Sequence, residues 1–442
     1  MRKIQYSLIC AVLLAGIASA EQNLVADNLQ EWKLSWKGEE VMSVADGVLT
    51  YEQTPKEKMQ NAFFEQTISL EPDQFYGFSM EYRTEDGLTP VVVVTHADAK
   101  DADKPIRLFR MPSSSDWKTY TIRTSMGSRK GSFRIRICPA TMPDRIFRNK
   151  EKVRSDHPGK AQFRNVRFVR SDFSDPEVVR PPKAFESETH VYKTVGDLDL
   201  VLKIDRPLGV DGPVPVIFWV HGGGWSVGSP DDMLWGSAMH ASQGVAGARV
   251  QYRLIKQGGT FKKTFGDLLD AVEWLRQHAD ELNIDMSRLI IAGGSAGGHL
   301  SSILAQKTPE CIGYIGFCGM YDLTNVGESR FAYQPKGFME SLDFDTLAAG
   351  SAIHNIRDNP PQTLLMHGDA DATIDYEVAV RFAGALRAKG GKVKLVLMPG
   401  GGHDMLYPYR QQKEIHGLLQ DLGIYTNDFE STQQKWAETE KQ

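Results

Sequence analysis

Between about residues 22 and 170 the chain alternates apolar and polar side chains with a period of two. In "SFRIRIC", Phe133, Ile135 and Ile137 fall on one side and Arg134 and Arg136 on the other; "GFSMEYR" repeats the pattern with Phe78, Met80 and Tyr82. Such alternation predicts strands with one face in a core and one in water. Segments such as "RTEDG" and "SMGSRKG" supply turns between them. Residues 21–170 are therefore expected to form an all-β domain of the sandwich type.

Farther along, the rhythm changes. "VPVIFWVHG", "VAGARVQYRL", "RLIIAGG", "IGYIGFCGM", "QTLLMHGD" and "KVKLVLMPG" are near-continuous apolar runs, suited to strands buried on both faces. Between them, "TFGDLLDAVEWLRQHADEL" spaces Phe265, Leu268, Leu269, Ala271, Val272, Leu275 and Leu282 for one side of a helix. Alternation of strand and helix over residues 188–426 predicts a mainly parallel sheet covered by helices. The proline-bearing stretch 171–187, "SDFSDPEVVRPPKAFES", reads as a linker or a connecting edge strand, and 427–442 as a polar tail.

The first twenty residues stand apart. "MRKIQYS" is basic, "LICAVLLAGI" is a short apolar run, and Ala18, Ser19 and Ala20 form a small-residue cleavage pattern, so residues 1–20 are expected to be a signal peptide that exports the chain to the periplasm or beyond. The apolar run is too short to cross a bilayer. Cys10 precedes most of it and does not fit a lipid-attachment site. No later segment is long and apolar enough for stable membrane insertion.

With 442 residues and 41% hydrophobic content the chain can bury cores in two or three domains. Loss of the two basic residues of the signal would take its formal charge from −5 to −7, which argues against nucleic acid as a partner. Cys138, Cys311 and Cys318 would remain. The last two bracket "IGYIGF", a strand that holds its ends roughly 20 Å apart, so a disulfide framework is not expected. Against the acidic whole, residues 129–170 hold 13 basic and 3 acidic residues. A solvated sheet face accounts for such a run; the sharper expectation is a face that holds a polyanionic glycan through residues such as Arg134 and Arg136.

The candidate chemistry starts at "IAGGSAGGHL". Gly293, Gly294, Ser295, Ala296 and Gly297 fit G-x-S-x-G at a strand-to-helix turn, where small neighbours let two backbones pass and a helix start faces the hydroxyl. Upstream, another apolar run ends in "HGGGW", His221 to Trp225, whose glycines leave backbone N–H groups uncovered for a developing oxyanion. "TLLMHGDADATID" then ends a run in acidic residues, and "LVLMPGGGHDM" ends the next in His403. A serine hydroxyl needs an imidazole to take its proton, and the imidazole needs a carboxylate to hold its tautomer. His299, in the helix start after the serine, reads as a packing residue.

These motifs resemble the α/β-hydrolase esterases. "HGGG" is similar to the element of lipases and esterases related to hormone-sensitive lipase, and the match implies Gly223, Gly224 and Ala296 as the oxyanion hole. His367, Gly368 and Asp371 fit the H-G-x-x-D pattern of that fold, which implies Asp371 as the acid, with Asp369 and Asp375 as alternatives. A calcium loop on those aspartates lacks its sixth-position glycine. "AGSAIHNIRDNPPQTLLMHGDAD" adds a likeness to secreted carbohydrate-directed and feruloyl esterases, and "ADNLQEWKLSW", "LEPDQFYGFSMEYRT", "SSDWKTYTIRT" and "AQFRNVRFV" resemble, in order, the jelly-roll carbohydrate-binding modules of polysaccharide-degrading enzymes.

The expectation is thus an exported serine carboxylesterase acting on acetyl or feruloyl groups of an esterified polysaccharide, with catalytic Ser295, Asp371 and His403, no cofactor and no metal. Trp225 is expected to stack on a sugar or aryl ring or to fill the gap beneath its loop. Residues 324–358 are expected to cap the site. A prolyl-oligopeptidase-like peptidase and a non-enzymatic glycan-binding protein are the rival readings.

Overall fold

The computed structural model describes residues 23–35, 41–54, 62–71, 75–97, 107–111, 113–125, 131–141, 157–171, 178–327, 337–371, 373–403 and 408–439. The expected signal peptide, Cys10 and residues 328–336 of the expected cap lie outside them. The chain divides into two compact units, Met1–Ser174 and Asp175–Gln442.

The first unit contains, among the described residues, the strands β1 (Lys33–Leu34), β2 (Met42–Ala45), β3 (Val48–Gln53), β4 (Phe64–Leu70), β5 (Phe75–Thr84), β6 (Val91–His96), β7 (Arg107–Arg110), β8 (Lys118–Ser125), β9 (Gly131–Cys138) and β10 (Gly159–Arg170). They form two sheets, ordered β1-β4-β9-β6-β7 and β2-β3-β10-β5-β8, with antiparallel pairing throughout. Phe133, Ile135 and Ile137 are buried, as are Phe78, Met80 and Tyr82. Rings from the two sheets meet: Phe64 lies 6.3 Å from Phe163, and Phe78 lies 6.5 Å from Phe109. Asp46 and Gly47 both take positive φ between β2 and β3, the backbone a tight Asp-Gly hairpin turn requires.

The cationic stretch is partly neutralised in place. Arg136 Nε lies 2.5 Å from Glu65 on the neighbouring strand, and its guanidinium sits 4.4 Å over the Phe63 ring. Arg164 pairs with Glu81 at 2.6 Å, and Lys160 with Glu52 at 3.0 Å. Arg134 donates to the Ala97 carbonyl at 2.5 Å. Arg136 is thus committed to a carboxylate, and less of the expected excess faces outward.

The second unit runs β11 (Phe185–Val195), β12 (Leu198–Pro207), β13 (Val214–Val220), α1 (Leu234–Ala241), β14 (Ala246–Val250), α2 (Phe261–Gln277), β15 (Ile284–Gly294), α3 (Ala296–Lys307), β16 (Cys311–Phe317), α4 (Phe344–Ala349), β17 (Gln362–Gly368), α5 (Glu377–Ala388), β18 (Val393–Met398), α6 (Pro408–Asp421) and α7 (Phe429–Thr439). One sheet takes the order β11-β12-β14-β13-β15-β16-β17-β18. β11, β12 and β14 pair antiparallel, and every later pairing is parallel. β13 and β14 are buried along their whole length, which is why their sequences show no alternation.

β11 begins at Phe185, inside the stretch 171–187, and is the edge strand of the sheet, the second of the two readings of that stretch. Two details differ from the sequence reading. The expected polar tail carries α7, where Phe429, Gln433 and Trp436 are buried at helical spacing and Gln433 bonds both backbone groups of Val179. On α2, Leu268, Ala271, Val272 and Leu275 are buried, whereas Leu269 is 40% exposed. Cys138, Cys311 and Cys318 are buried and not disulfide-bonded.

Candidate active site

Parallel strands deliver their C-terminal ends to one edge, and the register aligns those ends: Val220 pairs with Gly293, Gly294 with Phe317, Phe317 with Met366, and Gly368 with Met398. The residues that follow β13, β15, β16, β17 and β18 therefore converge, where ligands of open α/β sheets bind.

After β15, Ser295 takes φ 56° and ψ −122°, a conformation disfavoured for a residue with a side chain and worth on the order of 1–3 kcal/mol of strain. Its N–H donates to Phe317 O at 2.8 Å, and its carbonyl accepts from His299 N–H at 3.0 Å. The glycines around it are forced by space. A β-carbon on Gly297 would overlap the carbonyls of Val220 and His221; one on Gly293 would meet Gly297 O and Ser301 Oγ; one on Gly298 would lie 2.9 Å from the α-carbon of Gly319. Ser295 is the N-cap of α3, so the helix's positive end faces its side of the turn.

After β18, His403 stands between the other two groups. Its Nε2 lies 2.9 Å from Ser295 Oγ, and its Nδ1 lies 2.8 Å from Asp371 Oδ2. Those contacts assign Nδ1–H as donor to the carboxylate and leave Nε2 to accept from the hydroxyl. Asp371 follows β17 and is held from several sides: Oδ1 accepts the Thr373 and Ile374 N–H groups at 2.8 and 3.0 Å. Burial alone would raise its pKa, but the charge of His403 and the hydrogen bonds from His367 and His403 hold the carboxyl well below the usual carboxylate range. The alternatives cap backbone instead: Asp369 accepts from Gly400 N–H and Asp375 from Glu377 N–H.

The glycine loop after β13 lies against this turn. A β-carbon on Gly222 would come within 3.3 Å of Ser295 Cβ. Gly223 and Gly224 have φ of 109° and 57°, and the Gly223 carbonyl accepts from the Ser226 and Val227 N–H groups. Ala296 opens α3, so its N–H is among the first-turn donors with no acceptor inside the helix. Below the loop, Tyr252 stacks on His221 at 4.2 Å and donates to its carbonyl at 2.8 Å.

Trp225 is a correction. It is 1% exposed, and its indole stacks on Phe338 at 4.6 Å with the planes 8° apart. The ring fills space beneath the loop and is not open to a sugar. Phe338 belongs to the expected cap, whose described part is tied down nearby: Phe338 O accepts from Phe261 N–H at 2.7 Å, and Gly350 O lies 2.6 Å from His299 Nε2. His299 is fully buried among these rings; burial depresses its pKa to about 4 despite the bond to Gly350.

Two neighbours of the site went unread as such in the sequence. His367 Nε2 lies 3.1 Å from Asp371 Oδ2 and 3.0 Å from Ile374 O, fully buried, and its Nδ1 makes no hydrogen bond among the described residues. The signal was its place in H-G-x-x-D, at the end of a strand whose next loop carries the acid. Cys318 follows β16 with φ 44°, and its Sγ lies 3.6 Å from His403 O. Its signal was position: the residue after the strand beside β15 must arrive next to the elbow.

Hydroxyl, imidazole and carboxylate in series, beside helix-start and loop amides, can move a proton off an oxygen nucleophile and stabilise an oxyanion. Comparison with known proteins agrees with that capacity. The BD-FAE family model matches residues 202–386. Ethyl acetate hydrolase of Pseudomonas putida is 30% identical over 213 residues, covering 43% of this chain and 65% of that protein. Esterase LipC of Mycobacterium tuberculosis is 26% identical over 262 residues, covering 50% and 60%. The chain thus spans less than two thirds of the length of either relative. Among solved structures, esterase 2 of Thermogutta terrifontis, phosphonylated by sarin, superposes with a TM-score of 0.51 at 24% identity, over 59% of this chain and all of that one. The second unit has the α/β-hydrolase fold and is similar to esterases across the stretch that carries Ser295 and Asp371.

Proposed function

We propose that the protein is a serine carboxylesterase that removes acetyl or feruloyl groups from polysaccharides, exported with its first twenty residues removed. One observation carries the reading: the His403 ring is 2.9 Å from Ser295 Oγ on one side and 2.8 Å from Asp371 on the other. Ser295 Oγ attacks the ester carbonyl as His403 Nε2 takes its proton. The tetrahedral oxyanion receives the N–H groups of Gly223, Gly224 and Ala296. The sugar alcohol leaves with the proton from His403, and water, activated by the same nitrogen, releases the acid. Asp371 keeps its charge throughout and holds the imidazolium.

A relative named ethyl acetate hydrolase supports a small acyl group. The polysaccharide part rests on the jelly-roll likeness of the first unit: a glycan-holding module raises the local concentration of a tethered catalytic unit at its polymer. The cationic residues between 129 and 170 favour uronate-bearing or sulfated glycans, with binding that weakens as salt is added. Nitrophenyl acetate, an aminoacyl anilide and a panel of acetylated and feruloylated polysaccharides test the assignment. Hydrolysis of the first and of one polymer is expected; cleavage of the anilide alone would replace it with a peptidase, and no hydrolysis at all with a binding protein.

A further inference from the structure

We propose that Cys318, Asp371 and His403 bind one thiophilic divalent cation, Zn2+ or Cd2+, and that the bound ion switches the site off. A sulfur, a carboxylate oxygen and an imidazole nitrogen of these residues lie within 4.8 Å of one another. A tetrahedral zinc ion with bonds of about 2.0 Å to nitrogen and oxygen and 2.3 Å to sulfur puts the sulfur about 3.5 Å from the other two atoms and opens Nδ1 and Oδ2, now 2.8 Å apart, to about 3.3 Å. The residues follow β16, β17 and β18, three successive strands of one parallel ladder, so the set is held by backbone rather than by chance proximity of long side chains.

The donors suit the ion. Sulfur and imidazole select zinc-like metals over calcium or magnesium, and thiolate plus carboxylate bring two negative charges against the cation's two positive ones in a largely buried place. His367 would remain as the outer donor to the ligating carboxylate, an arrangement that orients metal ligands. The imidazole nitrogen on the Asp371 side is Nδ1. When the cation takes that position, the ring proton moves to Nε2, opposite Ser295 Oγ, and the Cys318 thiol proton goes to solvent. One proton is released per ion. An Nε2 that already carries hydrogen cannot accept the hydroxyl proton, so turnover stops. Only this inhibitory half rests on the proposed role of His403 as base.

The test is a Cd2+ titration of the full-length protein, read by the ultraviolet thiolate-to-Cd2+ charge-transfer band, beside Zn2+ inhibition of nitrophenyl acetate hydrolysis. One equivalent is expected to saturate the band, a chelator to restore activity, and affinity to rise about tenfold per pH unit while the thiol is protonated. Cys318→Ala and the near-isosteric Cys318→Ser are expected to keep turnover, lose the band and need at least about tenfold more cation for half-inhibition. Cys138 and Cys311, whose thiols burial pushes up to about 12, are not expected to contribute. Ser295→Ala is expected to show the band undiminished although inactive, so the metal site is judged even if the esterase reading fails. Equal inhibition of wild type and both Cys318 variants, or a band unchanged in His403→Ala, overturns the proposal.

Discussion

His367 Nε2 stands 3.1 Å from Oδ2 of Asp371, the same oxygen that receives Nδ1 of His403 at 2.8 Å. One carboxylate oxygen therefore serves two imidazoles, one buried and one facing the serine. The buried ring fixes the carboxylate and draws charge from it. Hydrogen bonds to charged groups are worth about 1.5–3 kcal/mol, so His367→Ala is expected to lower kcat roughly 10- to 100-fold with KM little changed, and to shift the acid limb of the pH–rate profile upward. His367→Gln, whose amide can donate, is expected to restore part of the loss. A fall in kcat with an unmoved profile would assign His367 to packing alone.

Removal of the nucleophile gives the largest effect. Ser295→Ala is expected to cost on the order of 10⁶ in kcat while the urea midpoint stays near wild type, because the small side chain makes few contacts and relief of strain at φ 56° is not available to alanine. Turnover within tenfold of wild type would rule out an acyl-serine route.

The acid is tested by comparison. Asp371→Asn is expected to lower kcat by about 10⁴, since an amide can offer its N–H to the imidazole and favour the wrong tautomer, whereas Asp375→Asn, which caps the Glu377 N–H, is expected to leave kcat within a few-fold. Steady-state assays of the two proteins decide; the reverse order moves the assignment to Asp375.

Much of this was legible in advance, for identifiable reasons. Strands buried on both faces must be continuously apolar, so "VPVIFWV" and "RLIIAGG" declared themselves, and the close backbone passages at Gly293, Gly297 and Gly298 tolerate no side chain. What stayed hidden depends on neighbours distant in sequence. Trp225 looked available for stacking because nothing local shows that Phe338, more than a hundred residues later, covers its face. α7 escaped because a helix needs only a buried stripe, here Phe429, Gln433 and Trp436, in an otherwise polar run.

Trp225 carries its own prediction. As a fully buried indole, its truncation to alanine is expected to cost about 3–5 kcal/mol, measured by urea unfolding, and to lower kcat/KM because the oxyanion loop and the Phe338 segment lose their shared surface. Phe338→Ala is expected to act in the same direction, and the double variant to be less than additive, as for two residues in contact. Strict additivity would mean the two rings act independently.

Stability has a pH signature at His299. Its pKa in the folded chain is depressed to about 4 by burial, while an unfolded histidine titrates near 6.5. Between those values the unfolded chain binds a proton that the folded one does not, so this group's contribution is full above about pH 6.5 and is lost as pH falls toward 4. His299→Gln, compared with wild type by urea unfolding at pH 7 and pH 5, is expected to lose less on acidification. An equal loss would place the acid sensitivity elsewhere.

The crowding around Gly293, Gly297 and Gly298 leaves the nucleophile turn almost no freedom to drift, since the first added methyl group there collides with main chain. New substrate preferences must then arise at the periphery, where Val227, packed beside Gly223, still faces solvent. Directed evolution of this scaffold should therefore spend its libraries on the rim and leave the elbow untouched.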